Sequence, residues 1–422
     1  MTPRPISPSI PLPEFVRAFA RIGRLSPPVL AAQIAVMHHE LVTRRGWMKE
    51  EGFLSALSFC MMLPGPEAMQ LATYCGWRLR GVPGGVAAGL FFVAPGALVM
   101  LALAALYARF GQLPLSEALF SGVKAAVVVI VLQALLRLAR TSLGRRDRRA
   151  LAIAAFLLLT VFAVPFPLIV AGAAAFGALR AAPAPRRPVP PPATGHLPRT
   201  LLLWGTLWAL PLAGLWLAGQ ERLLAIGLFF SRLAVVTFGG AYAVLAYMSQ
   251  EIVARQGWLT PEAMLDGLGL AETTPGPLIL VTEFAGYLAA APLGPWGGLA
   301  GAALTLWVTF VPCFLWIFAG APYVDWIATR PRLSAALSAV TAAVVGVIAA
   351  LAWWFALHLL FAETGPLALG PVHMTLPHPE SLRPEALLLL AVAAVSLFAL
   401  RLGLGATLGL AALAGLALHL PG

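Results

Sequence analysis

Two copies of one tripeptide carry the most specific chemistry in this sequence. Pro64-Gly65-Pro66 and Pro275-Gly276-Pro277 stand 211 residues apart, each inside an apolar run. Proline lacks a backbone donor and disfavours helix in the residue before it. A helix therefore cannot run straight through either triplet. The helix before the second copy is expected to end near Leu270. A new one is expected to start at Pro277, with Thr273 or Thr274 near its cap. Its first amides, Gly276 and Leu278 among them, would be unpaired and would sit at a partial positive charge, which suits an anion. The bland alternative is a packing kink. Thr237-Phe238-Gly239-Gly240 is a companion break in the second half, where glycine allows close backbone approach. The matched positions Ser26, Pro27, Pro28 and Val29 keep a break but have no glycine.

The charged residues inside apolar runs are few. Lys124 precedes seven apolar residues and should face a partner or a wet cavity. It would meet a dianion as a point charge, or pair with a carboxylate, or snorkel. Arg232 raises the same question ahead of the Gly-Gly break. Glu67 follows Pro66 directly, while Glu272 and Glu283 flank the second triplet. Glu67 and Glu272 are the proton-coupling candidates, against the simpler reading of Glu67 as a first-turn carboxylate. Glu40, Arg44 and Trp47, with Glu251, Arg255 and Trp258, read as structural and interfacial: a Glu–Arg pair four apart with Trp at headgroup level. Cys60, Cys75 and Cys313 show no CxxC spacing, and His38-His39 belongs to no HExxH. No metal, cofactor, phosphate loop or nucleophile elbow is expected.

The elements that must position these residues are membrane helices. Of 422 residues, 60% are hydrophobic and 11% charged, with a mean hydropathy of +0.87, which is the composition of an all-α polytopic membrane protein. The net charge of +11 comes mostly from Arg at the ends of apolar runs, so it reads as topology control and not as a nucleic-acid surface. Residues 1–14 are polar and Pro-rich, without the apolar core of a signal peptide. An apolar stretch at 15–42, interrupted at Ser26-Pro27-Pro28, is followed by runs at about 52–76, 83–108 and 116–137. Residues 150–180 split at Pro165-Phe166-Pro167 into a helical hairpin. Residues 181–199 read as a Pro/Arg-rich cytoplasmic linker, and 200–218 as a connecting transmembrane helix.

The second half repeats the first. Glu40 to Trp47 aligns with Glu251 to Trp258 at the triplets' offset of 211; Pro95 with Pro312, and Ser121 to Val128 with Ser338 to Val345, align at 217. A weaker match sets a second split hairpin at 385–420, around Arg401. Each repeat makes an even number of crossings, so the helix 200–218 inverts the second copy. With a cytoplasmic N-terminus most basic clusters fall inside; Arg44, Arg45, Lys49 and Arg109 are exceptions. Inverted repeats with broken half-helices at the Pro-Gly-Pro motifs point to a secondary transporter, its site near the midplane between repeats.

At this point the chain resembles the chromate ion transporter family in its long, two-domain form. The resemblance rests on Cys60-Met61-Met62-Leu63-Pro64-Gly65-Pro66-Glu67-Ala68, Gln70 to Trp77, Thr237 to Leu245, and Glu272-Thr273-Thr274-Pro275-Gly276-Pro277-Leu278. It covers about residues 15–360, with weaker similarity beyond. It implies efflux of chromate, with sulfate as the related oxyanion, across a bacterial inner membrane by two homologous domains, 15–180 and 219–422, of opposed orientation. The chain departs from the family at Pro27-Pro28-Val29-Leu30, where Phe-Gly-Gly-Pro is usual, at Ser58 in place of Asn, and at Ala246 in place of Pro. The reading is an exporter of chromate or a sulfate-like oxyanion, embedded in the lipid bilayer. Assembly as a homodimer is left open. The alternatives are a proton-coupled transporter or channel for a different anion, and a membrane-embedded enzyme or scaffold, for which the sequence offers no catalytic set.

Overall fold

A computed structural model describes residues 10–181, 196–238, 240–294, 296–324, 326, 330–370 and 372–419. The chain forms two compact units, each assembled from three separate segments. The first comprises Met1–Ala105, Ala182–Gly240 and Thr274–Leu333; the second comprises Leu106–Ala181, Ala241–Thr273 and Ser334–Gly422.

The first unit opens with α1 (Leu12–Leu25). Glu14, Arg17, Arg21 and Arg24 recur every three or four residues, while Phe15, Ala18, Phe19 and Ile22 are buried. This is an amphipathic helix of four turns, not the start of a uniformly apolar stretch. After the break at Ser26–Val29 comes α2 (Leu30–His38), which runs into a π-helical turn, His39–Arg44. Helix α3 (Glu50–Cys60) ends before the first Pro-Gly-Pro. Helix α4 (Glu67–Phe110) begins directly after it and kinks at Arg80–Gly81, where Gly81 has φ +66°. Pro83 is tolerated because it sits in the first turn after that kink. Most of the expected linker 181–199 lies outside the described residues; α8 (Leu197–Leu217) begins within its last three positions, and α9 (Glu221–Val236) ends at the Thr237–Gly240 break. The unit closes with a 3-10 turn (Leu278–Leu280), α12 (Val281–Ala290) and α13 (Gly297–Gly320). Gly286 of α12 lies against Thr305 and the Gly301 carbonyl of α13, so the two backbones nearly touch. Trp204 of α8 stacks on Phe314 of α13 at 5.2 Å.

The second unit contains α5 (Pro114–Ser142) and the hairpin α6 (Arg146–Thr160) and α7 (Phe166–Leu179). Short α10 (Ala241–Met248) passes into a π-helical turn, Ser249–Arg255, and α11 (Pro261–Thr273) reaches the second triplet. Helix α14 (Pro331–Leu360) leads to a β-hairpin, β1 (Thr364–Leu369) paired antiparallel with β2 (Val372–Pro377). Helices α15 (Pro384–Ala394) and α16 (Leu404–His419) complete the chain. Small residues set the packing: Gly122 of α5 meets the Ala411 carbonyl of α16, and Gly346 of α14 meets the Ala152 carbonyl of α6.

Backbone features recur along the chain. The π-helical turns His39–Arg44 and Ser249–Arg255 precede Gly46 (φ +60°) and Gly257 (φ +58°). Ala163 (φ +49°) and Arg401 (φ +53°) each sit at the turn of a hairpin. One helix boundary differs from the sequence reading: α11 continues to Thr273 and does not stop near Leu270, because only the residue just before Pro275 is barred from helix. The apolar run 52–76 is broken at the first triplet as expected, into α3 and the start of α4. His373 lies in β2 and His378 directly after it.

Gly286→Leu should fail to pack α12 on α13. Overpacking costs about 1–3 kcal/mol, so the thermal unfolding midpoint of the detergent-solubilised protein should fall. Gly172→Ala on α7, which meets nothing within 4 Å, should leave it unchanged.

Candidate functional site

An interrupted helix in an apolar setting leaves amides and carbonyls that must find partners. In the first unit the two triplets find them at the two breaks, crosswise. Gly65 N–H donates to the Thr237 carbonyl at 2.9 Å, and Gly276 N–H donates to the Ser26 carbonyl at 2.9 Å. Gly65 and Gly276 are 211 residues apart, and so are Ser26 and Thr237. Each triplet of one half is thus held by the broken helix of the other. The two glycines adopt φ +110° and +99°, a left-handed region in which a side chain is strained.

Two glutamines reinforce the crossing. Gln33 Nε2 donates to the Pro27 carbonyl at 2.7 Å and to the Gly276 carbonyl at 2.8 Å, and Gln70 Nε2 donates to the Pro64 carbonyl at 2.6 Å. A third layer comes from the proline-bearing helices. A Cβ on Gly276 would lie 3.6 Å from Gly96 Cα on α4, and one on Gly65 would lie 2.9 Å from Cys313 Sγ on α13. Gly96 and Cys313 follow Pro95 and Pro312, the pair aligned at offset 217.

This geometry corrects one detail of the expected anion site. The Gly276 amide is spent on Ser26 and is not among the free donors, because an unpaired amide buried there would cost several kcal/mol. At the two helix starts, the amides that meet no backbone carbonyl among the described residues include Leu278 and Ile279 in the 3-10 turn, and Glu67 and Ala68 in α4. Pro66 caps α4 by accepting from Gln70 N–H at 3.1 Å. Thr237 is buried and turns its hydroxyl onto the Leu233 carbonyl at 2.5 Å. Gly240 has φ +95°, Thr274 is buried, and Gly239 lies outside the described residues. Glu67 is almost wholly buried at the first position of α4.

The remaining candidates belong to the second unit. Thr273 ends α11 with its hydroxyl folded onto the Leu270 carbonyl at 2.8 Å. Glu272 accepts a 2.6 Å hydrogen bond from the Tyr242 hydroxyl. Lys124 Nζ stands 3.7 Å from Asp266 Oδ2, which also accepts from the Tyr107 hydroxyl at 2.8 Å. The cation is thus paired with a carboxylate, one of the outcomes open from sequence. Arg232 is exposed.

At the interfacial cluster, Glu40 is buried and takes Arg44 Nη1 on both oxygens, at 3.1 and 3.0 Å, and Arg45 Nε at 2.8 Å. The Arg45 guanidinium lies 4.7 Å from the Trp47 ring centroid. In the second copy Glu251 takes Arg255 at 3.2 Å and Gln256 at 3.1 Å. Sequence reading missed Ser26, Gln33, Gln70, Gly96, Cys313 and Asp266 as site partners. Gln33, Gln70 and Asp266 carried a usable signal, being polar side chains within apolar runs. The carbonyl of Ser26 and the small volume of Gly96 carried none.

Interrupted apolar helices that satisfy each other's broken ends are the construction of a multi-pass membrane protein. Five helices among the described residues are long and apolar enough to cross a bilayer: Glu67–Phe110, Pro114–Ser142, Leu197–Leu217, Gly297–Tyr323 and Pro331–Leu360. The chain belongs to the chromate transporter family, which it matches over residues 14–178 and 224–417. It is 31% identical to the chromate transport protein of Cupriavidus metallidurans over 349 residues, covering 81% of this chain and 82% of that protein. To the chromate transport protein of Pseudomonas aeruginosa it is 32% identical over 363 residues, covering 83% and 82%. A probable chromate transport protein of Synechococcus elongatus is 29% identical, covering 82% and 84%. No solved structure matches the chain. The family's curated members are transport proteins, not enzymes.

Two variants test the site's construction. Gln33→Leu leaves the Pro27 and Gly276 carbonyls without their buried donor, a loss of about 1–3 kcal/mol. It should lower the unfolding midpoint in detergent more than Gln220→Leu at an exposed position. Lys124→Met strands Asp266 as an unpaired buried charge. Such a break costs roughly 3–5 kcal/mol when both partners are fully buried, and less here because Lys124 keeps 18% side-chain exposure. Lys124→Met/Asp266→Leu should recover much of that loss, as read by a double-mutant cycle on thermal stability.

Proposed function

We propose that this chain is a secondary transporter that exports chromate, and carries sulfate as the related oxyanion, across a bacterial inner membrane. The observation that carries the reading is the crossed pair of Pro-Gly-Pro triplets. Each sets a helix start beside a backbone crossing, with free amides at Leu278 and Ile279 in one copy and at Glu67 and Ala68 in the other. A helix start supplies unpaired N–H groups and positive dipole to an anion, without a full charge that would hold it too tightly to leave. Thr237, whose carbonyl receives the Gly65 amide, Gly240 in the same break and Thr274, directly before the second triplet, complete the substrate-binding set. The matched offsets of 211 at triplets, breaks and π-helical turns support homologous repeats. The charge pattern supports their inversion, so that rocking of one repeat against the other exposes the site alternately.

The direction follows from electrostatics. A membrane potential is worth about 2.3 kcal/mol per charge per 100 mV, so a dianion leaving a negative interior gains roughly twice that without a nucleotide site. Import would need coupled cations.

Labelled chromate and sulfate flux in everted membrane vesicles tests the reading. The wild type should accumulate chromate, with sulfate competing. Gly276→Val forces a β-branched side chain to φ +99°, a strain of about 1–3 kcal/mol, and should cut flux on the order of tenfold at equal membrane content. A wild type that moves neither anion would sink the substrate assignment; a fully active Gly276→Val would sink the triplet as the site.

A further inference from the structure

The crossing leaves one buried carboxyl unexplained. Glu283 lies in the first turn of α12 and is 1% exposed, and neither of its oxygens has a hydrogen-bond partner among the described residues. A first-turn carboxylate ordinarily folds back onto the amides of its own helix start; this one does not. The register of α12 on α13 gives the level of α13 at which it sits. Gly286 lies against Thr305, and Gly301 against Gly286 and the Ala290 side chain, so the helices run antiparallel. One turn back from Gly286 is Glu283, and one turn on from Thr305 is Thr309. Thr309 is also 1% exposed, and its hydroxyl also has no partner.

Among the described residues, the charged and titratable groups around Glu283 offer it no counter-charge. On α12 itself there is Tyr287, and on α13 the buried Cys313. On α9 there are Glu221 and Arg232, both exposed, and Arg222, which donates to the Ala289 carbonyl at the far end of α12. The stretch 92–100 of α4, which reaches Leu280 at Gly96, has no titratable side chain, and neither do the 3-10 turns Leu278–Leu280 and Ala291–Leu293. An ionised carboxylate without donor or counter-ion is strongly disfavoured in such a place.

Leu278, the first free amide, is only five residues earlier, about 7–8 Å along a helix axis. An anion at the start of this helix and an ionised Glu283 would repel each other across an apolar gap.

We propose that Glu283 is a proton-binding site linked to the anion site: it holds a proton while the anion occupies the start of α12, and ionises only when that start is empty and wetted. The inference rests on the reading of the chain as an oxyanion transporter, and identifies the group through which protons act on it. Linkage is reciprocal. Anion binding takes up one proton, and acid tightens anion binding.

Sulfate, which stays a dianion across the range tested, is the probe. Its affinity for the purified full chain in detergent is measured by calorimetry between pH 6 and 8. Over part of that range the wild type should tighten by about tenfold per pH unit, the slope of one linked proton. Glu283→Gln, locked neutral, should bind with the wild type's acid-limit affinity at every pH. Glu283→Asp should restore the slope, which separates loss of the proton from loss of packing. Infrared difference spectra of the same proteins give a readout independent of the anion: a carboxylic-acid C=O band present in the wild type and missing in Glu283→Gln. A Glu283→Gln protein that keeps the wild-type slope, or the wild-type band, overturns the proposal. If the wild type binds no sulfate and moves no chromate but the band is lost in Glu283→Gln, the transport reading falls and the proton on Glu283 stands.

Discussion

The structure depends on one constraint: a peptide group taken out of a helix in an apolar environment must be paired with something. Each half of the chain breaks its backbone twice, once at a proline-rich or glycine-rich segment and once at a Pro-Gly-Pro. Four sets of exposed amides and carbonyls result. The amides of the two triplet glycines are satisfied across halves: Gly65 bonds Thr237, and Gly276 bonds Ser26. Neither half could satisfy its triplet in this way alone. The crossing explains why glycine stands at the centre of both triplets, since φ values of +110° and +99° exclude a branched side chain. It also explains why small residues, Gly96 and Cys313, face them from the proline-bearing helices.

The two crossings are not chemically equal. Gln33 donates to two carbonyls, Pro27 in the first-half break and Gly276 in the second triplet, while Gln70 donates to one, Pro64 in the first triplet. The positions matched to these glutamines at offset 211 are Val244 and Val281, so both glutamines come from the first half and the second half contributes none. Glu283 has no acidic counterpart either, for Ala72 occupies the matched position. The matched positions thus share backbone breaks but not side chains: the start of α12 has Glu283 in its first turn, and α4 has Glu67 at its first position.

The second unit shows the same economy with charge. Lys124 and Asp266 each would be costly alone in an apolar interior, and Tyr107 adds a hydrogen bond to the shared oxygen. Glu272 is likewise held by Tyr242. Among the acidic groups of the helices beside the triplets, Glu283 stands apart because both oxygens are buried and neither is bonded.

The sequence by itself determined the class of protein, the positions of the breaks and their duplication. These are local properties: proline removes a donor wherever it stands, apolar composition declares a bilayer, and an offset of 211 or 217 is read by counting. It also separated helices α6 and α7 at Pro165-Phe166-Pro167, and the hairpin around Arg401, because turn chemistry is local too. Only the tertiary structure decided what each broken end pairs with. Gly276 looked like a free donor because its partner, the Ser26 carbonyl, lies 250 residues away and a main-chain carbonyl leaves no mark in a sequence. Lys124 could not be assigned between substrate and carboxylate for the same reason, until Asp266 was found 3.7 Å from it. Pairing across long separations is fixed by packing, and packing is the sum of contacts that no single stretch of chain contains.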